Sequence, residues 1–187
     1  LHLIDAQTQR SNIIVSKLLN FARPDELSDL TENVDIVKVV DDTLLLIRQD
    51  LRKHNIKTAV THHPSPPFRC IGTELQQVMV NLTVNAAQAM ADGGLLTIRT
   101  GAASRDGVEG VEIMVQDTGP GIPPDRIDNV FDPFMTTKLG SGTGLGLSIS
   151  QSLVTQAGGL ISVECQPGEG ATFFVWFPAS DISSAAP

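Results

Sequence analysis

Apolar residues recur along this chain at two spacings, and the spacings predict both helices and strands. Spacings of three and four residues predict helices at residues 3–22, Asp35 to about Lys53, Thr73–Met90 and Leu145–Gln156. Alternation of apolar and polar residues predicts strands at Ile56–His62, Phe68–Ile71, Leu95–Gly101, Val108–Asp117, Leu160–Cys165 and Thr172–Phe177. The helix at residues 3–22 is solitary, so it must dock on the main domain or on another helix.

Local signals sharpen four of these expectations. Thr73 is expected to cap the helix that follows it. A short helix is expected at Pro123–Val130, with proline in its first turn. Leu45 is expected on the buried stripe of the second predicted helix. A loose Ala-Ser-Arg-Asp-Gly connection should join the third and fourth predicted strands as a hairpin.

Composition and charge limit the classes of function. The 187 residues are 41% hydrophobic and 18% charged, and the net charge of -8 with a pI near 4.8 argues against a general nucleic-acid-binding surface. No apolar run approaches the length of a membrane span. Cys70 and Cys165 lack metal-ligand spacing, so small buried thiols in a reducing compartment are expected. Because the sequence starts at Leu1 rather than at methionine, we expect a fragment or a processed piece.

Two glycine clusters carry the strongest chemical signal. The first is Asp117–Ile122, and the second, Gly140–Leu147, leads directly into a predicted helix. Glycine lets backbone N–H groups approach a ligand closely, and a helix N-terminus favours an anion such as a phosphate. Neither cluster has the G-x-x-x-x-G-K-[ST] sequence of a P-loop. Between them, Phe131 and Phe134 precede a small polar segment, so residues 135–143 are expected to form a lid anchored by both rings.

Three polar side chains stand where chemistry is expected. Asn81 and Asn85 lie four residues apart on one helix face, although asparagine is a poor helix-interior residue. They are either satisfied amides at a solvent edge or oxygen donors for a hard cation such as Mg²⁺. Asp117 ends a predicted strand, and it either accepts a hydrogen bond from the amino group of a base or caps the glycine turn. The residues alone leave these alternatives open.

Four motifs in register identify a family resemblance. They are Asn81-Leu-x-x-Asn85-Ala, Asp117-x-Gly119-x-Gly121, Phe131-x-Pro-Phe134 and Gly142-x-Gly144-x-Gly146, in the order and rough spacing of the N, G1, F and G2 boxes. Together they resemble the ATP-binding catalytic domain of a two-component sensor histidine kinase, within the gyrase–chaperone–kinase–MutL superfamily. The form of the boxes is closest to that of the nitrogen-regulation and oxygen-sensing kinases. Gly168–Phe173 resembles the further glycine motif near the end of that domain.

The resemblance implies a fold and a division into domains. The fold would be α+β, a two-layer α/β sandwich in which helices cover one face of a mixed sheet (the Bergerat-type ATP fold), preceded by one long amphipathic helix. Residues 35–178 would be the ATP-binding catalytic domain, and residues 1–24 part of the second helix of the dimerisation and phosphoacceptor hairpin. Residues 25–34 would be a linker, and residues 179–187 a disordered tail.

The resemblance also assigns roles to the site residues. Asn85 would bind Mg²⁺ through its amide oxygen, and Asn81 would help to hold the phosphate side of the site. Asp117 would accept a hydrogen bond from the adenine amino group. Gly119 and Gly121 would let the backbone pass close to the base.

The other implied positions surround the phosphates or the far side of the base. Thr172 would lie near the adenine end, beside Asp117. Lys138 of the lid would contact the phosphates or remain solvated. The segment that would close over the phosphates consists of Gly142, Thr143, Gly144, Leu145, Gly146 and Leu147.

The activity implied is transfer of the γ-phosphate of ATP to a histidine, for relay to an aspartate on the receiver domain of a response regulator. The resemblance also implies a homodimer in the full-length protein and a cytoplasmic location, with no contact of this fragment with a membrane or with nucleic acid. None of His2, His54, His62 and His63 fits the family's acceptor, which is therefore expected upstream of Leu1. Two other functions share the nucleotide boxes: an anti-sigma-type serine kinase and a non-catalytic, nucleotide-dependent conformational switch.

Overall fold

The computed structural model of the chain describes residues 31–135, 144–165 and 168–180. Their helices are α1 (Ile36–Lys53), α2 (Gly72–Ala89) and α3 (Gly146–Gln156). Their strands are β1 (Glu32–Asn33), β2 (Ile56–His62), β3 (Arg69–Cys70), β4 (Gly94–Arg105), β5 (Val108–Gln116), β6 (Leu160–Cys165) and β7 (Ala171–Pro178). None of these three helices is long and apolar enough to cross a membrane. The helix predicted at residues 3–22 lies outside the described residues.

In this part of the chain, five strands form one mixed sheet in the order β2-β4-β5-β7-β6. Strand β2 runs parallel to β4, and the other neighbouring pairs are antiparallel. Strands β1 and β3 pair separately in an antiparallel ladder. The sequence did not predict β1, because two polar residues carry no alternation that could mark a strand. It falls within residues 25–34, the segment expected to be a linker.

One face of the mixed sheet is buried beneath the helices. Along β4, β5 and β7, buried residues alternate with more exposed ones, which is the pattern of a sheet covered on one side. The buried residues of these strands include Leu96, Ile98, Val111, Ile113, Val115, Phe173 and Val175. All three helices contact the sheet, and α2 lies between α1 and α3. The predicted α+β architecture, with a mixed sheet under a helix layer, is confirmed.

Helix α1 shows why the core stripe was only partly predicted. Its buried residues include Thr43 and Ile47, whereas Leu45 is 67% exposed. Leu45 is two residues from each of them, so it lies about 200° away around the helix. The prediction that Leu45 is buried was therefore wrong, because helix geometry rather than hydrophobicity decides which residues reach the core.

Two of the expectations drawn from local sequence signals are wrong. Helix α2 begins at Gly72 with Ile71 as its N-cap, and no side chain caps it. Thr73 therefore lies inside the first turn and not at the helix boundary. The helix predicted at Pro123–Val130 is reduced to a 3₁₀ turn at Ile127–Asn129, which buries no residue. A short segment without a buried face cannot offset the cost of helix nucleation.

The hairpin between β4 and β5 is tighter than predicted. Arg105 pairs with Val108, so only Asp106 and Gly107 form the turn. Both have positive φ angles, 51° and 80°, as a type I′ turn requires. The predicted five-residue loose connection was wrong because pairing with β5 extends β4 through alanine and serine, which have low strand propensity on their own.

Candidate functional site

Asp117 follows the last residue of β5, and it is buried, with 4% of the residue exposed. Its Oδ1 accepts two backbone hydrogen bonds, from the N–H of Gly119 at 2.8 Å and from that of Ala171 at 3.3 Å. Burial raises the pKa of this carboxyl, and the two N–H donors oppose part of that shift. Oδ2 accepts no hydrogen bond from the described part of the chain. Asp117 can therefore cap the glycine turn with one oxygen and offer the other to a ligand.

The glycines beside Asp117 stand where a side chain would collide or be strained. A Cβ added at Gly119 would lie 2.9 Å from Asp117 Oδ1 and 3.1 Å from the Cβ of Ala89. Gly121 has a φ of 76°, which glycine adopts at little cost. Gly170 has a φ of 89°, and an added Cβ there would lie 2.0 Å from the carbonyl oxygen of Asp117. The turn before β7 is thus packed directly against the Asp117 loop.

The connection between β6 and β7 supplies contacts that the predicted site did not include. The N–H of Gly168 donates to the carbonyl oxygen of Pro120 at 3.0 Å. The glycines of this motif were visible in the sequence, but no role was assigned to them. Thr172 pairs with Gln116, the residue before Asp117. The direct contact with the Asp117 carboxylate comes instead from the backbone N–H of Ala171, the residue before Thr172.

Thr118 joins the Asp117 loop to two other elements. Its N–H and its hydroxyl both donate to the sulfur of Met90, at 3.4 and 3.5 Å. The N–H of Leu95 donates to the Thr118 hydroxyl at 3.0 Å. A Cβ at Gly94 would lie 2.5 Å from the Met90 sulfur, so this junction requires glycine there. The end of α2, the start of β4 and the Asp117 loop are held together at one point.

Asn81 and Asn85, on the same face of α2, differ in their surroundings. The Asn81 Nδ2 donates to the carbonyl oxygen of Gly146 at 3.2 Å and to Ser150 Oγ at 3.3 Å. Asn81 therefore ties α2 to the first turn of α3. Asn85 is partly exposed, and its amide makes no hydrogen bond to the residues that the structure describes. Ser150 could not be recognised from the sequence, because a serine inside a helix carries no recognisable signal.

The start of α3 has the geometry expected of an anion-binding end. The helix begins at Gly146, after Leu145 as its N-cap, and Leu147 lies in its first turn. No side chain of the described residues caps this end, so within this part of the chain the first N–H groups of the helix remain for a ligand. Gly144, just before it, has a φ of 64°. Of the other predicted positions, Gly142, Thr143 and Lys138 lie outside the described residues.

The two phenylalanines expected to anchor the lid behave differently. The ring of Phe131 meets that of Phe173 edge to face, with centroids 6.4 Å apart. Phe134 is 73% exposed and has a φ of 68°. Its N–H donates to the carbonyl oxygen of Gly144 at 2.9 Å. The expectation that both rings are anchored was therefore wrong for Phe134, whose backbone is held while its ring is not buried.

Among the described residues, this arrangement places a buried carboxylate with one unpartnered oxygen at one end of the helix layer, and a helix start without a side-chain cap at the other. The chain belongs to the family described as histidine kinase-, DNA gyrase B- and HSP90-like ATPases, whose model matches residues 71–181. The predicted family is thereby confirmed, and use of ATP follows from it.

Relatives and solved structures agree with this assignment. The chain is 37% identical over 175 residues to the sensor histidine kinase ZraS of Escherichia coli (strain K12), a match that covers 93% of this chain and 36% of ZraS. It thus spans about a third of the length of that relative. The nucleotide-free catalytic domain of histidine kinase ThkA superposes with a TM-score of 0.68 at 28% identity, covering 79% of this chain and 95% of that one. Full-length ShkA in complex with AMPPNP superposes with a TM-score of 0.66 at 31% identity, covering 80% and 32%.

Replacing Gly170 by alanine tests the packing of the β6–β7 turn on Asp117. We expect Gly170→Ala to lower both the stability of the protein and its affinity for ATP, because the new Cβ would displace the Asp117 backbone. Gly168→Ala is the matched control: its φ of 84° imposes a similar strain, but an added Cβ meets no atom of the described residues within 4 Å. Urea unfolding and ATP titration calorimetry on both variants provide the measurement. Equal effects in the two variants would show that backbone strain, and not the contact with Asp117, is responsible.

Proposed function

We propose that this chain is the ATP-binding kinase core of a sensor histidine kinase. It binds ATP with Mg²⁺ and presents the γ-phosphate to a histidine on a dimerisation hairpin, from which the phosphoryl group passes to an aspartate of a response regulator. The chain's 37% identity to ZraS, named a sensor histidine kinase, supports this assignment over other branches of the ATPase family.

The single observation that carries the proposal is that the two oxygens of the Asp117 carboxylate differ in their hydrogen bonds. Oδ1 is saturated by two backbone N–H groups, and the group is buried, so Oδ2 is an oriented acceptor without a partner among the described residues. An exocyclic amino group is the donor that such an acceptor fits, and adenine carries one. A site built for such a donor strongly disfavours a base that lacks it, because the buried carboxylate would stay unpaired.

The residues present fit a magnesium ion that is bound largely through the nucleotide. The described residues contain no group of three or more His, Cys, Asp or Glu side chains that could cage a metal. Magnesium prefers oxygen ligands and usually keeps water and phosphate around it, so one amide oxygen is a sufficient protein contribution. The amide of Asn85, without a partner in this part of the molecule, would supply it. The ion would neutralise charge that develops on the phosphates during transfer.

The protein's own part in phosphoryl transfer is positioning. Asp117 would orient the base and the first turn of α3 would hold the phosphates, so the γ-phosphorus would face an incoming imidazole. The residues that would hold the base and those that would hold the phosphates both lie on rigid elements of the sheet and the helix layer. No residue described here needs to act as a nucleophile, because the acceptor histidine fills that role.

The partner and place of action follow from the same proposal. A sensor kinase core works with the receiver domain of its response regulator, and in the full-length protein it would act within a homodimer. We place this activity in the cytoplasm, where ATP and receiver domains are found.

The kinase assignment can be separated from the other two functions by the chemistry of the product. With radiolabelled ATP and the acceptor-bearing full-length protein, we expect acid-labile, base-stable phosphate on the protein that moves to a receiver domain. A full-length Asn85→Ala variant is the control for Mg²⁺-dependent transfer. Acid-stable phosphate would indicate a serine kinase of the anti-sigma type, and nucleotide binding without phosphate transfer would indicate a conformational switch.

The Asp117→Asn variant should change stability and ATP binding in opposite directions. The folded-state pKa of Asp117 is raised by burial, so between its ordinary and raised values the folded protein binds more protons than the unfolded chain. Its contribution to the free energy of unfolding therefore falls as pH rises through this window, and the cost is complete at neutral pH. We expect Asp117→Asn to be more stable than wild type at neutral pH, with the advantage shrinking as pH falls.

The same variant should bind ATP roughly tenfold more weakly or worse, since an amide at this position loses a charged acceptor. Urea unfolding across acidic to neutral pH and ATP calorimetry measure the two effects. A variant that is less stable than wild type at every pH would refute the burial argument. Unchanged ATP affinity would refute the role in base recognition.

Asn85→Ala should impair Mg²⁺-dependent nucleotide binding more than Asn81→Ala does. Asn85 has a free amide oxygen to donate to the cation, whereas the Asn81 Nδ2 already binds α3. ATP calorimetry with Mg²⁺ and with EDTA decides between them. Equal losses in the two variants would contradict the assignment of Asn85 as the metal ligand.

A further inference from the structure

Met90 caps the C-terminal end of α2 and is buried beside the loop that carries Asp117, with 2% of the residue exposed. The N–H of Thr118 donates to the Met90 sulfur at 3.4 Å, and the Thr118 hydroxyl donates to it at 3.5 Å. The hydroxyl oxygen accepts in turn from the N–H of Leu95 at 3.0 Å. Each of these bonds uses a separate proton, so the sulfur accepts two hydrogen bonds from one residue of the loop.

The bond from the Thr118 N–H restrains the peptide group that follows Asp117. This N–H and the carbonyl of Asp117 belong to one planar peptide, so they point in opposite directions. The Met90 sulfur holds the N–H side. On the carbonyl side the turn before β7 packs so closely that a Cβ added at Gly170 would lie 2.0 Å from the Asp117 oxygen. The peptide is therefore held from both sides, by α2 and by the turn before β7.

The orientation of this peptide decides where the next N–H lies. That N–H, of Gly119, donates to Asp117 Oδ1 at 2.8 Å and closes a short ring through Thr118. Rotation of the peptide between Asp117 and Thr118 would carry the Gly119 N–H away from the carboxylate. The contacts with Ala171 do not prevent this rotation, because they hold the Asp117 N–H at 3.0 Å and Oδ1 at 3.3 Å, and neither atom belongs to that peptide. The shorter of the two bonds to Oδ1 thus depends on the Met90 sulfur.

We propose that Met90 is a positioning residue that, through Thr118, sets which oxygen of the Asp117 carboxylate is offered to the amino group of a base. A thioether sulfur is a weak acceptor, so its effect comes from the place where it holds the loop rather than from the strength of the bond. Met90 acts only through the loop and does not touch the nucleotide in this role. The inference rests on the proposed recognition of adenine by Asp117.

Met90→Leu keeps an apolar side chain of similar volume and removes the sulfur acceptor. We expect the dissociation constant of ATP to rise about fivefold, the effect of losing one hydrogen bond. The dissociation constant of purine ribonucleoside triphosphate, which lacks the amino group, should stay unchanged, because a group that acts on the Asp117 acceptor affects only a nucleotide that uses it. Titration calorimetry with both nucleotides provides the measurement.

Met79→Leu is the matched control for loss of a methionine from the core. Met79 lies in the same helix and is fully buried, and its sulfur accepts no hydrogen bond from the described residues. This variant should leave the ratio of the two dissociation constants as in the wild type. Equal weakening of both nucleotides in Met90→Leu, no weakening of either, or the same change of the ratio in Met79→Leu would overturn the proposal.

Exchange of backbone amide protons provides a second, nucleotide-free measurement. NMR should show that Met90→Leu speeds the exchange of the Thr118 and Gly119 N–H groups, whereas the N–H of Asp117, which bonds to the Ala171 carbonyl, stays protected. Unchanged exchange at Gly119 in this variant would refute the link between Met90 and the carboxylate. If the wild-type protein bound ATP and the analogue equally well, the proposed base recognition would fail, whereas the exchange measurement would still decide whether Met90 positions the loop.

Discussion

The site depends on one buried carboxylate, that of Asp117, in which only one of the two oxygens accepts hydrogen bonds from the described residues. A buried charge is tolerated only when hydrogen bonds compensate for lost water. Here the compensation comes from the N–H groups of Gly119 and Ala171, both on Oδ1 of Asp117. Because these donors belong to separate turns, the two turns must pack against each other for the carboxylate to stay charged. Burial raises the pKa of Asp117 although both N–H groups oppose the shift, so their compensation is incomplete. A further hydrogen-bond donor would therefore stabilise the charged carboxylate.

Helix α2 acts as the common support for both ends of the site. Asn81 on this helix bonds to the start of α3, and Met90, its C-terminal cap, holds Thr118 next to Asp117. Met90 lies nine positions after Asn81, a distance of about 14 Å along a helix at 1.5 Å per residue. An α-helix has little freedom to stretch, so the base end and the phosphate end keep a fixed separation. The hydrogen bonds at each end then orient individual groups on a scaffold whose length is already set.

A sequence displays residue types and their spacing, so only the features that follow from these could be predicted. Hydrophobic spacing located helices α1 to α3 and the five strands of the mixed sheet to within a few residues, and the glycine clusters located the loops around Asp117 and Gly146. The contact from Ala171 could not be predicted, because a backbone N–H is the same for every residue and only the strand pairing places it. Ser150 could not be predicted either, since its role depends on the crossing of two helices far apart in sequence. The exposure of Phe134 was misjudged, because hydrophobicity alone does not show whether a neighbour exists to cover the ring.

The glycines themselves divide into two classes that the sequence cannot separate. At Gly144 an added Cβ would lie 2.4 Å from the backbone of Phe134, and at Gly170 it would lie 2.0 Å from that of Asp117, so both are dictated by another segment of the chain.

At Gly146 the nearest atom to an added Cβ is the Asn81 Cγ at 3.8 Å, an ordinary contact. No close contact among the described residues therefore requires glycine at position 146, whereas packing between motifs explains Gly144 and Gly170. Gly144 and Gly170 each let the backbone of another motif come close, so the glycine motifs depend on one another for their packing.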